Sequence, residues 1–102
     1  MINTAFQKLL PLVIEILRKH KVKDAYLFGS ATTDKFNESS DVDLLINFEE
    51  GLAPLEKGEL MLDLQIALQD KLKRDIDLLT ESSLKNPYFI EEVKEKRIKI
   101  YE

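Results

Sequence analysis

The two stretches that decide the fold of this chain are Leu27-Phe28-Gly29-Ser30 and, about ten residues later, Ser40-Asp41-Val42-Asp43-Leu44-Leu45. The first stretch predicts the end of a short buried strand, which its glycine stops, with the serine placed to cap a brief helix. From the second stretch up to Phe48, apolar residues alternate with Asp41, Asp43 and further side chains. Because successive side chains of a strand point to opposite faces, this second strand carries both aspartates on one face.

Outward from these stretches, the remaining chain follows the periodicities of helices and strands. An amphipathic first helix is predicted between Phe6 and Leu17, with Pro11 close to its regular start. Pro54 opens a long helix whose apolar stripe faces the core. The other predicted elements are a third strand over residues 74–79, a helix from Asn86-Pro87 to about Lys96, and a final strand over residues 98–101.

Length and composition predict one globular domain over residues 1–102, since 44% of the residues are hydrophobic and 33% are charged. The chain contains no cysteine, so any metal would need oxygen ligands. No segment approaches the roughly 20 apolar residues of a membrane span, and we expect a cytoplasmic protein without a membrane partner. The formal net charge of −4 argues against sequence-blind binding to nucleic acid, although a nucleotide can still bind through a cation.

The paired aspartates predict a metal site. Asp43 lies between apolar residues of a strand, and Asp41 shares its face. Two unit charges about 4 Å apart repel by on the order of 4 kcal/mol at an effective dielectric of 20, and a third carboxylate would add to this unless a cation binds. Asp77 in the third strand is favoured as that carboxylate over Asp75, which lies on the same predicted face at the exposed strand entrance. Such oxygen ligands suit Mg²⁺ or Mn²⁺.

Gly29 and Ser30 would complete this site as a phosphate-binding turn. Gly29 allows a close approach of the backbone, and the Ser30 hydroxyl can donate to a terminal phosphate oxygen. Taken alone, the two residues are more readily explained as a plain turn glycine and a plain helix cap. Together with the aspartates, they predict in-line attack on the α-phosphorus of a nucleoside triphosphate, with Asp77 helping to hold a second metal.

The two stretches quoted above resemble the signature of the DNA polymerase beta superfamily of nucleotidyltransferases, and in length the chain is similar to minimal nucleotidyltransferase (MNT) domains. The resemblance implies an α+β fold, a small mixed sheet with helices packed on one side. It implies Mg²⁺-dependent use of ATP or another triphosphate, with Asp77 as the third carboxylate beside Asp41 and Asp43. For minimal members it also implies pairing with a helical HEPN protein as an antitoxin, and in some members transfer of AMP to a tyrosine of the toxin.

One departure from the family pattern leaves two functions open. Bacterial minimal members typically follow Gly-Ser with an arginine-rich run, whereas residues 31–35 of this chain read Ala-Thr-Thr-Asp-Lys, with Lys35 as the cation available to compensate. The first function is Mg²⁺-dependent transfer of a nucleotide, with AMP preferred, to a protein or other macromolecular acceptor. The alternative is a non-catalytic antitoxin-like subunit that neutralises a helical partner by contact, in a homo- or hetero-oligomer.

Overall fold

The computed structural model describes residues 2–102, which form helices and short 3₁₀ turns around one sheet. The elements in chain order are α1 (Thr4–Gln7), α2 (Leu10–Lys19), β1 (Val22–Phe28), a 3₁₀ turn (Gly29–Thr32, the Gly29 turn), β2 (Val42–Phe48), α3 (Pro54–Leu72), β3 (Ile76–Thr80), a second 3₁₀ turn (Glu81–Ser83), α4 (Pro87–Lys96) and β4 (Ile98–Tyr101). Lys73, in the left-handed conformation, ends α3. The Asn86 side chain caps α4 by accepting hydrogen bonds from the backbone N–H groups of Tyr88 and Phe89.

The sheet is mixed and has the strand order β3-β2-β1-β4. β1 is antiparallel to both of its neighbours, β2 and β4, whereas β2 and β3 are parallel and are connected through α3. In this register Asp43 lies beside Asp77 on β3 and opposite Phe28, the last residue of β1. The pairing therefore places the end of β1 and the two aspartates next to one another.

One face of the sheet carries the main hydrophobic core. Val42, Leu44 and Ile46 of β2 are fully buried there, and α2 and α3 pack over them. The helices contribute apolar residues at helical spacing, among them Val13, Ile16, Leu17, Leu64, Leu68 and Leu72. Because this face excludes water almost completely, it supplies most of the apolar burial that stabilises the fold.

The last helix, α4, packs on the opposite face, which corrects the prediction that the helices lie on one side. Val93 of α4 is buried against Phe28 and Leu45 in a second, smaller cluster. The strand order gives the reason. The parallel connections β2-α3-β3 and β3-α4-β4 run in opposite directions across the sheet, and right-handed crossovers then place their helices on opposite faces.

Most of the predicted elements are confirmed, as is the α+β class with a small mixed sheet. The predicted first helix divides into α1 and α2, and Pro11 lies in the first turn of α2, where its missing N–H costs nothing. The predicted cap at Ser30 is also wrong, because Ser30 lies inside the 3₁₀ turn and no side chain among the described residues caps that turn. Within residues 2–102, no helix is long and apolar enough to cross a membrane. That residues 1–102 make up one domain stays a prediction.

Candidate active site

Asp43 and Asp77 form the centre of the candidate site. They are neighbours in the parallel pairing of β2 with β3, and both side chains lie on the face opposite the main core. Asp43 is half-buried, and its pKa is raised to about 6, first by burial, then by the charges of Asp77 and Asp41 and by a hydrogen bond with Asp77. Among residues 2–102, no basic side chain forms an ion pair with this carboxyl group.

Gly29 lies directly over the Asp43 carboxyl group. It has a φ of +75°, which favours glycine, and a Cβ atom built on it would overlap Oδ2 of Asp43. The register of β1 explains the contact, because Phe28 is opposite Asp43 and the chain turns immediately after it. Gly29 is thus required for two independent reasons, its backbone conformation and its contact with the carboxylate.

Hydrogen bonds from several parts of the chain hold the Gly29 turn in place. The Thr32 hydroxyl donates to the Gly29 carbonyl at 2.7 Å, and the Thr33 hydroxyl donates to the Ser30 carbonyl at 2.8 Å. Asn3, which is buried, donates from its backbone N–H to the carbonyl of Ala31 and from Nδ2 to that of Thr33. The sequence analysis missed Asn3, and its only local signal is that of a helix N-cap for α1.

Asp41 precedes β2 and is exposed, at the end of a loop that Arg74 anchors. Arg74 Nη1 donates to the carbonyls of Asn37 and Ser40, each at 2.9 Å, and its guanidinium stacks on the Phe36 ring with its central carbon 4.5 Å from the ring centroid. These contacts join the entrance of β3 to the residues just before Asp41. They fix the backbone from which that side chain projects.

Asp75, the alternative third carboxylate, occupies a different position from Asp77. It is exposed at the entrance of β3, where its carbonyl accepts a hydrogen bond from the backbone N–H of Val42. Asp77 lines a cleft together with Asp43, whereas Asp75 is absent from that lining among the described residues. The geometry therefore favours the choice of Asp77 over Asp75.

The donor set fits Mg²⁺ as a pair of carboxylates. Among residues 2–102, no group of three or more acidic or histidine side chains is already arranged to hold a metal ion. The fold preassembles Asp43 and Asp77, whereas Asp41, exposed just before β2, is outside the cleft lining of the described residues and acts on Asp43 through its charge. Mg²⁺ commonly takes one or two carboxylates together with waters and substrate phosphates, and a half-buried carboxyl group with a raised pKa gains from such a cation.

A cleft of about 410 Å³ opens over the paired aspartates. Its walls are the Gly29 turn on one side and α4 on the other, and the residues that line it are Phe28, Gly29, Thr32, Thr33, Asp43, Asp77, Phe89, Glu92, Val93 and Lys96. Ser30, predicted to contact phosphate, is outside this lining as far as the described residues go, although it belongs to the same turn. The cleft is therefore large enough for a group bound between the turn and the helix.

The contribution of α4 to the cleft was missed by the sequence analysis. The charged run of this helix is typical of a solvated face with i,i+4 pairs, and such a pair is present between Glu92 and Lys96. A signal was nevertheless available, because Phe89, Val93 and Lys96 follow the i, i+4, i+7 spacing of one helix face. With Val93 turned towards the sheet, its neighbours on that face border the cleft.

Comparison with known proteins identifies the family. The family model described as polymerase beta nucleotidyltransferase matches residues 12–102. The chain belongs to this nucleotidyltransferase family. The predictions of a nucleotidyltransferase and of a minimal domain of the polymerase beta superfamily are thereby confirmed.

Individual relatives support the membership of this chain in the nucleotidyltransferase family. A protein of Methanocaldococcus jannaschii that carries the provisional name protein adenylyltransferase is 36% identical over 101 residues, covering 91% of this chain and 99% of the relative. A solved structure provisionally described as a minimal nucleotidyltransferase superposes with a TM-score of 0.67 at 28% identity, covering 96% of this chain and 95% of the other.

A third comparison concerns a toxin–antitoxin complex from Shewanella oneidensis. The solved complex contains an MNT antitoxin and a tri-AMPylated HEPN toxin, and one of its chains superposes with a TM-score of 0.61 at 23% identity. The match covers 92% of this nucleotidyltransferase and 70% of the other chain. At this identity the likeness is one of fold.

Proposed function

We propose that this nucleotidyltransferase transfers AMP from ATP to a hydroxyl group of a protein acceptor in the presence of Mg²⁺. The observation that carries the proposal is the pairing of the Asp43 and Asp77 carboxyl groups beneath the Gly29 turn, within a cleft large enough for a bound group. The raised pKa of Asp43 indicates a site that a cation would stabilise. The name of the Methanocaldococcus jannaschii relative supports adenylate as the transferred group.

Each predicted residue has a proposed role in this transfer. Asp41 and Asp43 bind the metal ion, and Asp77 shares it and accepts the proton of the attacking hydroxyl. Gly29 and Ser30 contact the β- and γ-phosphates through the turn. The bound Mg²⁺ would neutralise charge on the phosphate oxygens.

The reaction forms one bond at phosphorus and breaks one. The acceptor oxygen attacks the α-phosphorus of ATP, the bond from that phosphorus to the bridging oxygen breaks, and pyrophosphate leaves with the electron pair. The proton of the acceptor hydroxyl passes to the Asp77 carboxylate, which is exposed and therefore accessible to a protein substrate. Asp43, being half-buried, is better placed to bind than to exchange protons with an acceptor.

The acceptor we propose is a HEPN-type helical protein with which the chain forms a hetero-oligomer as its antitoxin. The Shewanella oneidensis complex contains such a toxin in AMPylated form together with an MNT antitoxin of the same fold. The exposed Asp77 supports a macromolecular acceptor, since the proton-accepting carboxylate lies open to a surface rather than inside an enclosed cavity. The cytoplasmic location expected from the sequence stays a prediction.

The proposal is tested by transfer of label from α-labelled ATP to a purified HEPN-type protein. Asp43→Asn and Asp77→Asn should each reduce transfer by about a thousandfold, because each removes a carboxylate that holds the metal or accepts the proton at the reacting phosphorus. Asp75→Asn is the matched control, because it changes an exposed aspartate at the entrance of β3, the strand that carries Asp77. It should keep transfer within about twofold of the native rate. Equal transfer by all four proteins would overturn the proposal.

The second candidate function is neutralisation by contact without catalysis. One observation favours it: the Gly29 turn and Thr33 present no basic side chain to the cleft, and Asp34 follows them. If this function is correct, Asp43→Asn should still neutralise the toxin as well as the native chain does. Loss of neutralisation by Asp43→Asn, with unchanged affinity for the partner, would instead support the transfer reaction.

A further inference from the structure

The α4 wall of the cleft is held firmly against the sheet. Val93 is buried against Phe28 and Leu45, and the ring of Phe89 meets that of Phe28 edge to face with centroids 6.2 Å apart. Asn86 caps the first turn of the helix. These contacts keep the last turn of α4, which carries Lys96, at the rim of the cleft across from the Gly29 turn.

The charges along the cleft are unbalanced. Three lining residues are acidic, namely Asp43, Asp77 and Glu92, and among residues 2–102 that line the cleft Lys96 is the one basic side chain. A nucleoside triphosphate brings several further negative charges, of which one Mg²⁺ offsets only two. Binding of the triphosphate therefore calls for a cation that the protein supplies.

Lys96, rather than Lys35, is in a position to supply that cation. Lys35 was expected from the sequence to compensate for the missing arginines, but it is exposed beyond the Gly29 turn and lies outside the cleft lining of the described residues. Lys96 lies within this lining, on the wall opposite the turn. The two lysines thus give a direct comparison of a cation inside the cleft with one outside it.

Glu92 holds Lys96 by a weak ion pair. The Lys96 Nζ atom is 3.4 Å from Glu92 Oε1, and the two side chains are 66% and 62% exposed. Exposed i,i+4 pairs contribute little, so a phosphate oxygen that enters the cleft can replace Glu92 at small cost. We propose that Lys96 binds the triphosphate of the nucleotide and that Glu92 competes with the phosphates for it.

This inference rests on the proposed function and is tested by nucleotide binding rather than by transfer. Titration calorimetry with ATP and Mg²⁺ should show affinity about tenfold lower for Lys96→Gln, and near native affinity for Lys96→Arg, because one phosphate contact by a charged group is lost or kept. Affinity for AMP should change less than about twofold. Lys35→Gln is the matched control and should bind ATP like the native chain.

A double-mutant cycle separates the role of Glu92 from a general effect of charge. Glu92→Gln should raise ATP affinity about twofold to threefold when Lys96 is present, and this gain should disappear in the Lys96→Gln background. Unchanged ATP affinity in Lys96→Gln, while the native chain binds ATP, would overturn this inference alone. Absence of ATP binding by the folded native chain would overturn the proposed function and this inference with it.

Discussion

The two faces of β2 differ in what they contribute to the molecule. On one face, Val42, Leu44 and Ile46 are fully buried beneath α2 and α3. On the other, Asp43 borders an open cleft and only Leu45 is buried, in a cluster of three residues. One seven-residue strand thus has a face that stabilises the fold and a face that carries the candidate chemistry.

The two faces together explain how the fold tolerates an unfavourable site. A half-buried carboxyl group beside two other carboxylates destabilises the protein when it is ionised, and its raised pKa reports this cost. The large core on the opposite face can offset the cost, because the two sets of side chains share a backbone but not a packing environment. Substitutions on the two faces should therefore have effects of different size and, for Asp43, of opposite sign.

The largest expected effect is on the core face. Leu44→Ala should reduce the free energy of unfolding by about 3 kcal/mol, since it removes a fully buried side chain and leaves a cavity. Urea denaturation followed by circular dichroism measures this change. The matched control is Leu62→Ala on α3, where the leucine is 61% exposed and a change within about 0.5 kcal/mol is expected. If Leu44→Ala reduces the free energy of unfolding by less than about 1 kcal/mol, the two faces do not differ in stability as proposed.

The alternation along β2 explains why so much of the candidate site could be predicted from sequence. Placing Asp43 between apolar residues of a strand was enough to assign it to the face opposite Leu44. Alternation alone puts Asp75 and Asp77 on one face, and Asp77 was preferred because it lies inside the strand rather than at its exposed entrance. The break between α1 and α2 was harder to predict from the sequence, although Pro11 marked the position near which the regular helix begins.

The position of α4 could not be predicted from its own sequence. Only Val93 of this helix is buried, so its apolar stripe is too short to stand out from the charged run around it. Its side of the sheet follows from strand order and crossover handedness, which are properties of the whole fold. The spacing of Phe89, Val93 and Lys96 shows that they share one face of the helix, but it does not show which side of the sheet that face covers.

The second effect in size tests the contact between the Gly29 turn and the aspartate face. Gly29→Ala should reduce the free energy of unfolding by about 2 kcal/mol, because it combines a left-handed backbone with overlap of Asp43. Gly51→Ala is the matched control, since Gly51 also has a positive φ but its added Cβ would meet nothing within 4 Å, and about 1 kcal/mol is expected. Thermal or urea denaturation of both variants gives the comparison.

A double substitution checks the origin of the difference. In an Asp43→Ala background the carboxylate is gone and the nearest remaining atom, Cβ of residue 43, is 3.4 Å from the added methyl group. The cost of Gly29→Ala should then fall to that of Gly51→Ala. If it stays about 1 kcal/mol higher, the carboxylate contact is not what makes Gly29 necessary.

The smallest effect, and the one of opposite sign, is expected for Asp43→Asn without metal. The carboxyl pKa of Asp43 is raised from 3.8 to about 6, so between these values the folded state binds more protons than the unfolded state, and stability falls as the pH rises. At pH 7 the native chain carries the full penalty, about 1 kcal/mol after screening by solvent around this half-exposed group. Asp43→Asn should therefore be about 1 kcal/mol more stable than the native chain at neutral pH.

The pH dependence decides whether the ionised carboxylate causes this gain. At about pH 3.5 Asp43 is protonated in the folded state and largely protonated when unfolded, so the advantage of Asp43→Asn should shrink to near zero. Asp75→Asn, which removes an exposed aspartate, should show no comparable gain at either pH. An advantage of the same size at both pH values would mean that packing of the amide, rather than relief of charge, stabilises the variant. Mg²⁺ should narrow the gap at pH 7 if it stabilises only the native chain, because a cation bound to the paired carboxylates removes the repulsion that the substitution removes.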